Sequence, residues 1–131
     1  MFNPSPARDK TVLIVEDNSD IAQLLASMLA GKCRKILRAA DGVEGLKLAR
    51  WQAPDFILLD MKLPQMNGLA VLQALQEQPQ TASIPVLILT GSHFDARTKE
   101  LLQQIPNVKA FLSKTCGAKR LREQIVQFLA S

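Results

Sequence analysis

Apolar residues follow two rhythms along this chain. Val12-Leu13-Ile14-Val15, preceded by Thr11, is a β-branched run that reads as a strand over 11–15. Phe56-Ile57-Leu58-Leu59, bracketed by Pro54 and Pro64, is too short for a helix and reads as a strand buried on both faces. Comparable runs predict strands over 84–89 and 108–112, and Ile36 and Leu37 centre a fifth over 33–40, whose basic residues suit an edge. Between the runs the period lengthens. Ile21, Leu24, Leu25, Met28 and Leu29 fall on one helical face, closed by Gly31. After the Asp41-Gly42 turn, Val43, Leu46 and Ala49 predict an inward face over 43–52, and Leu69, Leu72 and Leu75 do so from Gly68 until Gln78-Pro79. A weaker helix over 95–104 rests on Leu101, Leu102 and Ile105, and a last one uses Leu121, Ile125, Phe128 and Leu129. Strands alternating with helices five times imply βαβ crossovers and a parallel sheet covered on both sides.

Composition narrows the class without changing that picture. The chain has 131 residues, 47% hydrophobic and 21% charged, which suits one globular domain and argues against disorder. No apolar run approaches the ~18 residues of a membrane span. Residues 1–9 carry two prolines and no signal core, so they read as a flexible leader to a domain over 10–131, and a cytoplasmic protein is expected. Cys33 and Cys116 fit no metal spacing and read as idle thiols. The net charge of +4 gathers at Lys32, Arg34, Lys35 and Arg38 and at Lys119, Arg120 and Arg122, without interleaved aromatics or a DNA-binding motif. Neither nucleic acid nor membrane is an expected partner.

Chemistry collects at the carboxyl ends of the strands, where open α/β sheets bind ligands. Strand 1 ends in Glu16 and Asp17, strand 3 in Asp60, strand 4 in Thr90 and strand 5 in Lys114. Taken singly, Asp17 and Thr90 could cap helices, Asp60 could hold its loop, Lys114 could be an ordinary loop lysine, and Phe111 could be core. Together they predict a site. Three clustered carboxylates repel unless neutralised, and an all-oxygen set suits Mg²⁺. A carboxylate beside such a cation can act as nucleophile toward phosphorus. The Thr90 hydroxyl and Lys114 ammonium can each meet a phosphoryl oxygen, and Gly91 leaves room for the group to arrive.

The segments Val-Leu-Ile-Val-Glu-Asp-Asn (12–18), Leu-Leu-Asp-Met-Lys-Leu-Pro-Gln-Met-Asn-Gly (58–68), Val-Leu-Ile-Leu-Thr-Gly (86–91) and Ala-Phe-Leu-Ser-Lys (110–114) resemble the receiver domain of two-component response regulators, in order and spacing. That resemblance implies a flavodoxin-like (βα)₅ fold with strand order 2-1-3-4-5. It implies Asp60 as phosphoacceptor, with Glu16, Asp17, Asp60 and the Lys62 backbone carbonyl holding Mg²⁺ or Mn²⁺. Thr90, Gly91 and Lys114 would bind phosphate, and Thr90 and Phe111 would switch. A histidine kinase or histidine phosphotransfer protein would donate the group. A downstream protein would bind the face made by the 95–104 helix, the last strand and the last helix. Such a chain is a phosphoacceptor, not an enzyme beyond its own dephosphorylation, and a homodimer stays open.

Four departures from the family pattern matter. Thr115 stands where a proline usually follows the lysine, and a cis bond before a non-proline residue costs about 3–4 kcal/mol; Lys114 is nevertheless expected to reach the phosphoryl group. Lys62 is larger than usual at its position and could pair with Glu16 or overhang the phosphate. Phe111 lacks the hydroxyl of the commoner tyrosine, and Pro106-Asn107 changes the lead-in to the last strand. Two other readings stay open: an interaction module that signals without phosphate, and a receiver piece of a larger regulator or hybrid kinase. An aspartate-nucleophile phosphatase would need a carboxylate where Lys62 stands. A flavin site would want glycine and hydroxyl donors where the first loop is acidic.

Overall fold

Parallel pairing runs through the whole sheet of the computed structural model, which describes residues 9–91 and 95–130. In chain order the elements are β1 (Thr11–Val15), α1 (Ser19–Leu29), β2 (Lys35–Ala39), α2 (Gly42–Gln52), β3 (Phe56–Asp60), α3 (Gly68–Gln76), α4 (Pro79–Ala82), β4 (Val86–Thr90), α5 (Ala96–Gln103), β5 (Val108–Ser113) and α6 (Ala118–Leu129). The strand order is β2-β1-β3-β4-β5, the flavodoxin-like order. β2 is an edge, as its basic residues predict, although its ladder is limited to Lys35–Ala39. The leader expected over 1–9 lies, but for Asp9, outside the described residues.

The strands divide two cores by simple alternation. Val12, Ile14, Leu58, Leu87, Leu89 and Leu112 face α1 and α6. Leu13, Val15, Ile57, Leu59, Val86 and Ile88 face α2, α3 and the single buried leucine of α5. β3 and β4 are buried at every position, so both their faces are core. Burying each such leucine or isoleucine is worth about 1.5–3 kcal/mol. Close packing on both faces of these strands sets the positions of their ends. No helix among the described residues is long and apolar enough to cross a membrane.

The helix faces differ from the periodic reading by a consistent rotation. α1 buries Ala22, Leu25, Met28 and Leu29, while Leu24 is 43% exposed. α2 turns Gly42, Gly45, Leu46 and Ala49 inward and leaves Val43 on the surface. α3 buries Gly68 and Val71 and exposes Leu69. In each case a small residue takes the point nearest its neighbour, and a larger one is displaced outward. A Cβ on Gly45 would come within 2.8 Å of the Val15 side chain, so α2 can lie this close to β1 only with glycine there.

α4 was not expected; Pro79 at its first turn continues the chain helically for four residues. Two buried polar side chains secure the sheet end remote from the strands' carboxyl termini. The Thr81 hydroxyl donates to the Leu75 carbonyl at 2.7 Å. Asn107 donates to the Ile84 carbonyl at 2.9 Å and accepts from the Gln76 side chain. Thus the unusual Pro106-Asn107 lead-in ties β5 to β4 and α3.

Candidate functional site

The carboxyl edge of the sheet sets each candidate side chain. Beyond β1, the Glu16 N–H donates to the Ala39 carbonyl at 3.0 Å, so the ladder to β2 carries one residue further and buries the Glu16 side chain. The other oxygen of that carboxylate, Oε2, accepts the Asn18 N–H at 3.2 Å. Asn18 in turn caps α1, its side chain accepting from Asp20 and Ile21. Asp17, not needed as the cap, is exposed beside them. Asp60 ends β3, and its Oδ1 accepts the Lys62 N–H at 3.2 Å. The next loop returns tightly: Gly68 N–H donates to the Met61 carbonyl at 3.1 Å, and a Cβ there would lie 2.7 Å from Met61 Cα. Asn67 then caps α3.

One carboxylate oxygen each from Glu16, Asp17 and Asp60 lies within 4.8 Å of the others, a spacing able to hold a metal ion. Lys114 crosses from the end of β5 to the same point. Its ammonium lies 2.7 Å from Glu16 Oε1 and 3.0 Å from Asp60 Oδ2. Glu16 Oε1 is buried and meets that ammonium as an ion pair without a hydrogen bond of good angle. A buried carboxylate oxygen so placed, with two more carboxylates beside it, is the chemistry a hard divalent cation satisfies. The residues therefore fit such an ion.

Protonation follows from the crowding. Burial, helped by the Asp60 charge, pushes the Glu16 carboxyl up to about 7 against the opposing pull of Lys114. Its folded value thus exceeds the ordinary 4.5, so this acid contributes stability below pH 4.5 that is lost as pH rises through about 7. Burial alone would lower Lys114, yet Glu16 and Asp60 outweigh it and hold the ammonium above its usual value. The metal-free cluster is stabilised by its lysine.

Around Asp60 opens a cavity of about 420 Å³, lined in part by Lys62, Asn67, Thr90, Gly91, Asp95 and Lys114. Lys62 is exposed there, and the ammonium that meets Glu16 belongs to Lys114, so of the two courses open to Lys62 the pair with Glu16 does not form. The Thr90 hydroxyl donates to the Leu112 carbonyl on β5 at 3.2 Å. A Cβ at Gly91 would meet nothing within 4 Å, so Gly91 borders open space. Phe111 is half-buried against the α2–α3 side of the core, with the Lys99 ammonium 5.5 Å from its ring centroid. The described residues contain no cis peptide bond, so Lys114–Thr115 is trans and the ammonium still reaches the acids. Sequence reasoning missed Asp95 as part of the cavity wall. Its signal was local: Asp95 accepts the Thr98 N–H at 2.7 Å and the Thr98 hydroxyl at 3.0 Å, capping α5.

The chain is similar to known proteins. The family model described as the response regulator receiver domain matches residues 12–126. The polar-differentiation response regulator DivK of Brucella anthropi is 32% identical over 120 residues, covering 92% of this chain and 96% of its own. A response regulator crystal structure from Chloroflexus aurantiacus superposes with a TM-score of 0.79 at 28% identity, covering 94% of this chain and 99% of that one. The Mn²⁺-bound form of response regulator Rcp1 does so with a TM-score of 0.74 at 25% identity, over 91% of each chain.

Proposed function

This chain belongs to the response regulator receiver family, whose members act in two-component signalling as phosphoacceptors, and from that premise we propose that Asp60 accepts a phosphoryl group from a phosphohistidine. The donor is a histidine kinase or a histidine phosphotransfer protein. The observation that carries the reading is the Lys114 ammonium held between Glu16 and Asp60, within a triad of carboxylates close enough to share one cation. A carboxylate meant only to cap a loop would not be buried with a second acid and a lysine.

In the transfer, an Asp60 carboxylate oxygen forms a bond to phosphorus while the bond from phosphorus to the donor imidazole nitrogen breaks, and that nitrogen keeps the electron pair. Glu16, Asp17, Asp60 and the Lys62 carbonyl would hold Mg²⁺ or Mn²⁺, which when bound offsets the charge of the acids and of the phosphoryl oxygens. That the similar response regulator Rcp1 has an Mn²⁺-bound form supports a divalent cation as the ligand. Lys114 needs only to shift from the carboxylates to a phosphoryl oxygen, keeping its charge neutralised throughout. Gly91 leaves that group space. Thr90 would exchange its bond to the Leu112 carbonyl for one to phosphate. Because that carbonyl is on β5 and Phe111 precedes it, the exchange loosens the contact between β5 and α5. The changed α5–β5–α6 face then binds a downstream protein in the cytoplasm.

Incubation with acetyl phosphate and Mg²⁺, followed by intact mass measurement, tests the reading. The wild-type protein gains the mass of one phosphoryl group, and Asp60→Asn gains none. Equal labelling of both proteins overturns Asp60 as the acceptor, and labelling of neither leaves the phosphate-independent interaction module standing.

A further inference from the structure

The turn after β5 is held by side chains. Ser113 Oγ accepts the Thr115 N–H at 3.1 Å and lies 2.8 Å from the Thr115 hydroxyl. The Cys116 thiol donates to the Ser113 carbonyl at 3.1 Å. Between the two hydroxyls sits Lys114, whose own N–H donates to the Thr90 carbonyl at 2.9 Å. Its backbone is thus fixed from both directions: to β4 through Thr90, and to the turn through Ser113 and Thr115. Gly117, at φ +96, then starts α6 without a side-chain cap. A lysine stem has four rotatable bonds, and its reach to two acids depends on where its Cα is held.

We propose that Ser113 is a positioning residue for phosphoryl transfer: latched to Thr115, it holds the β5–α6 turn in the form that aims Lys114 at Glu16 and Asp60. The proposal rests on the reading of Asp60 as phosphoacceptor. Hydroxyl-to-amide turns of this kind fix local backbone geometry without help from the core. Here the latch acts beside the half-buried Cys116, whose thiol holds the Ser113 carbonyl, while Thr115 and Gly117 on either side of it are exposed.

The test compares wild type, Ser113→Ala, Ser113→Thr, Lys114→Met and the Ser113→Ala/Lys114→Met double variant at saturating Mg²⁺. The rate of phosphorylation by acetyl phosphate falls about three- to tenfold in Ser113→Ala, the worth of one hydrogen bond. Ser113→Thr restores it, because the hydroxyl returns. In the Lys114→Met background the same serine substitution has no further effect, since the group it aims is gone. A second readout needs no phosphate: in the metal-free protein the Lys114 side-chain ¹⁵N resonance, slowed in proton exchange by its two carboxylate partners, is lost in Ser113→Ala and kept in Ser113→Thr. An unchanged rate and resonance in Ser113→Ala overturn the proposal while the acceptor reading stands. An equal rate loss with or without Lys114 also overturns it, leaving Ser113 a structural turn residue. If the wild type takes no phosphoryl group, the acceptor reading fails, and this proposal fails with it.

Discussion

The two halves of the sheet's carboxyl edge are built from the same parts and held very differently. On one side, β1 and β3 are adjacent strands with Val12–Val15 and Phe56–Asp60 all buried, and the acids stand directly at their ends. On the other, β4 is equally buried, but β5 is only partly covered, its register against β4 slips between Val86 and Leu87, and α5 buries Leu102 alone. Leu101 on that helix is 58% exposed. Holding three negative charges together requires a frame that does not relax. Responding to a group bound there requires one that can, and elements with few buried apolar contacts open at low cost. The contrast assigns rigidity to the acids and mobility to the α5 side.

The largest effect should come from the ammonium that crosses from β5 to the acids of the rigid half. Lys114→Ala leaves Glu16 and Asp60 buried without their cation. Breaking such a pair costs about 3–5 kcal/mol, and the lower end applies because the lysine is partly solvated. Urea unfolding in the presence of a chelator measures the loss. The deficit should grow as pH rises above about 7, where wild-type Glu16 ionises against Lys114. The variant's Glu16, without the ammonium that lowers it, stays protonated to higher pH. Mg²⁺ should recover part of the stability by replacing the ammonium's charge. A deficit below about 1 kcal/mol, the range of exposed pairs, would mean solvent already screens the acids.

A smaller and more local effect is expected on the mobile half. Leu102→Ala removes the one buried anchor of α5, and leucine-to-alanine changes in cores cost about 2–5 kcal/mol. Here the loss should be near the low end, because the loosened helix can relax into the gap. Hydrogen exchange should show protection lost over 96–103 while the β1 and β3 amides keep theirs. Leu101→Ala, one position away, should stay within about 0.5 kcal/mol of wild type. Equal loss of protection across the sheet would erase the distinction between the halves.

That same distinction marks what the sequence could reveal. The strands and their terminal acids were legible because an unbroken apolar run fixes both the element and the residue at its end. Glu16, Asp17, Asp60, Thr90 and Lys114 needed only to be counted off the strands. The helix faces were less legible, because hydrophobicity ranks Leu24, Val43 and Leu69 above Ala22, Gly45 and Gly68. Close packing against the sheet reverses that order wherever the backbones nearly touch. The Lys114 bridge to Glu16 and the Asn107 bonds to Ile84 and Gln76 join residues distant in sequence, and no local pattern announces them. Asp95 and Pro79 did carry local signals, a helix cap and a first-turn proline, that a reading led by apolar period passes over.

The finest test bears on how α5 is held to β5 besides Leu102. Lys99 on α5 sets its ammonium 5.5 Å from the Phe111 ring centroid, a cation–π distance. At an exposed lysine such a contact is worth about 0.5–1 kcal/mol, too little to secure a helix but comparable with what a movable one needs. Lys99→Ala should therefore leave global unfolding almost unchanged while amide exchange over 96–103 rises about two- to fivefold, the same energy seen locally. Lys99→Arg should restore the protection, because a guanidinium also stacks on an aromatic face. Phe111→Leu keeps an apolar side chain and removes the ring, so Lys99→Ala in that background should change nothing more. If instead the lysine substitution acts equally with and without the ring, the ammonium serves α5 through its own helix, and the hold on β5 reduces to Leu102.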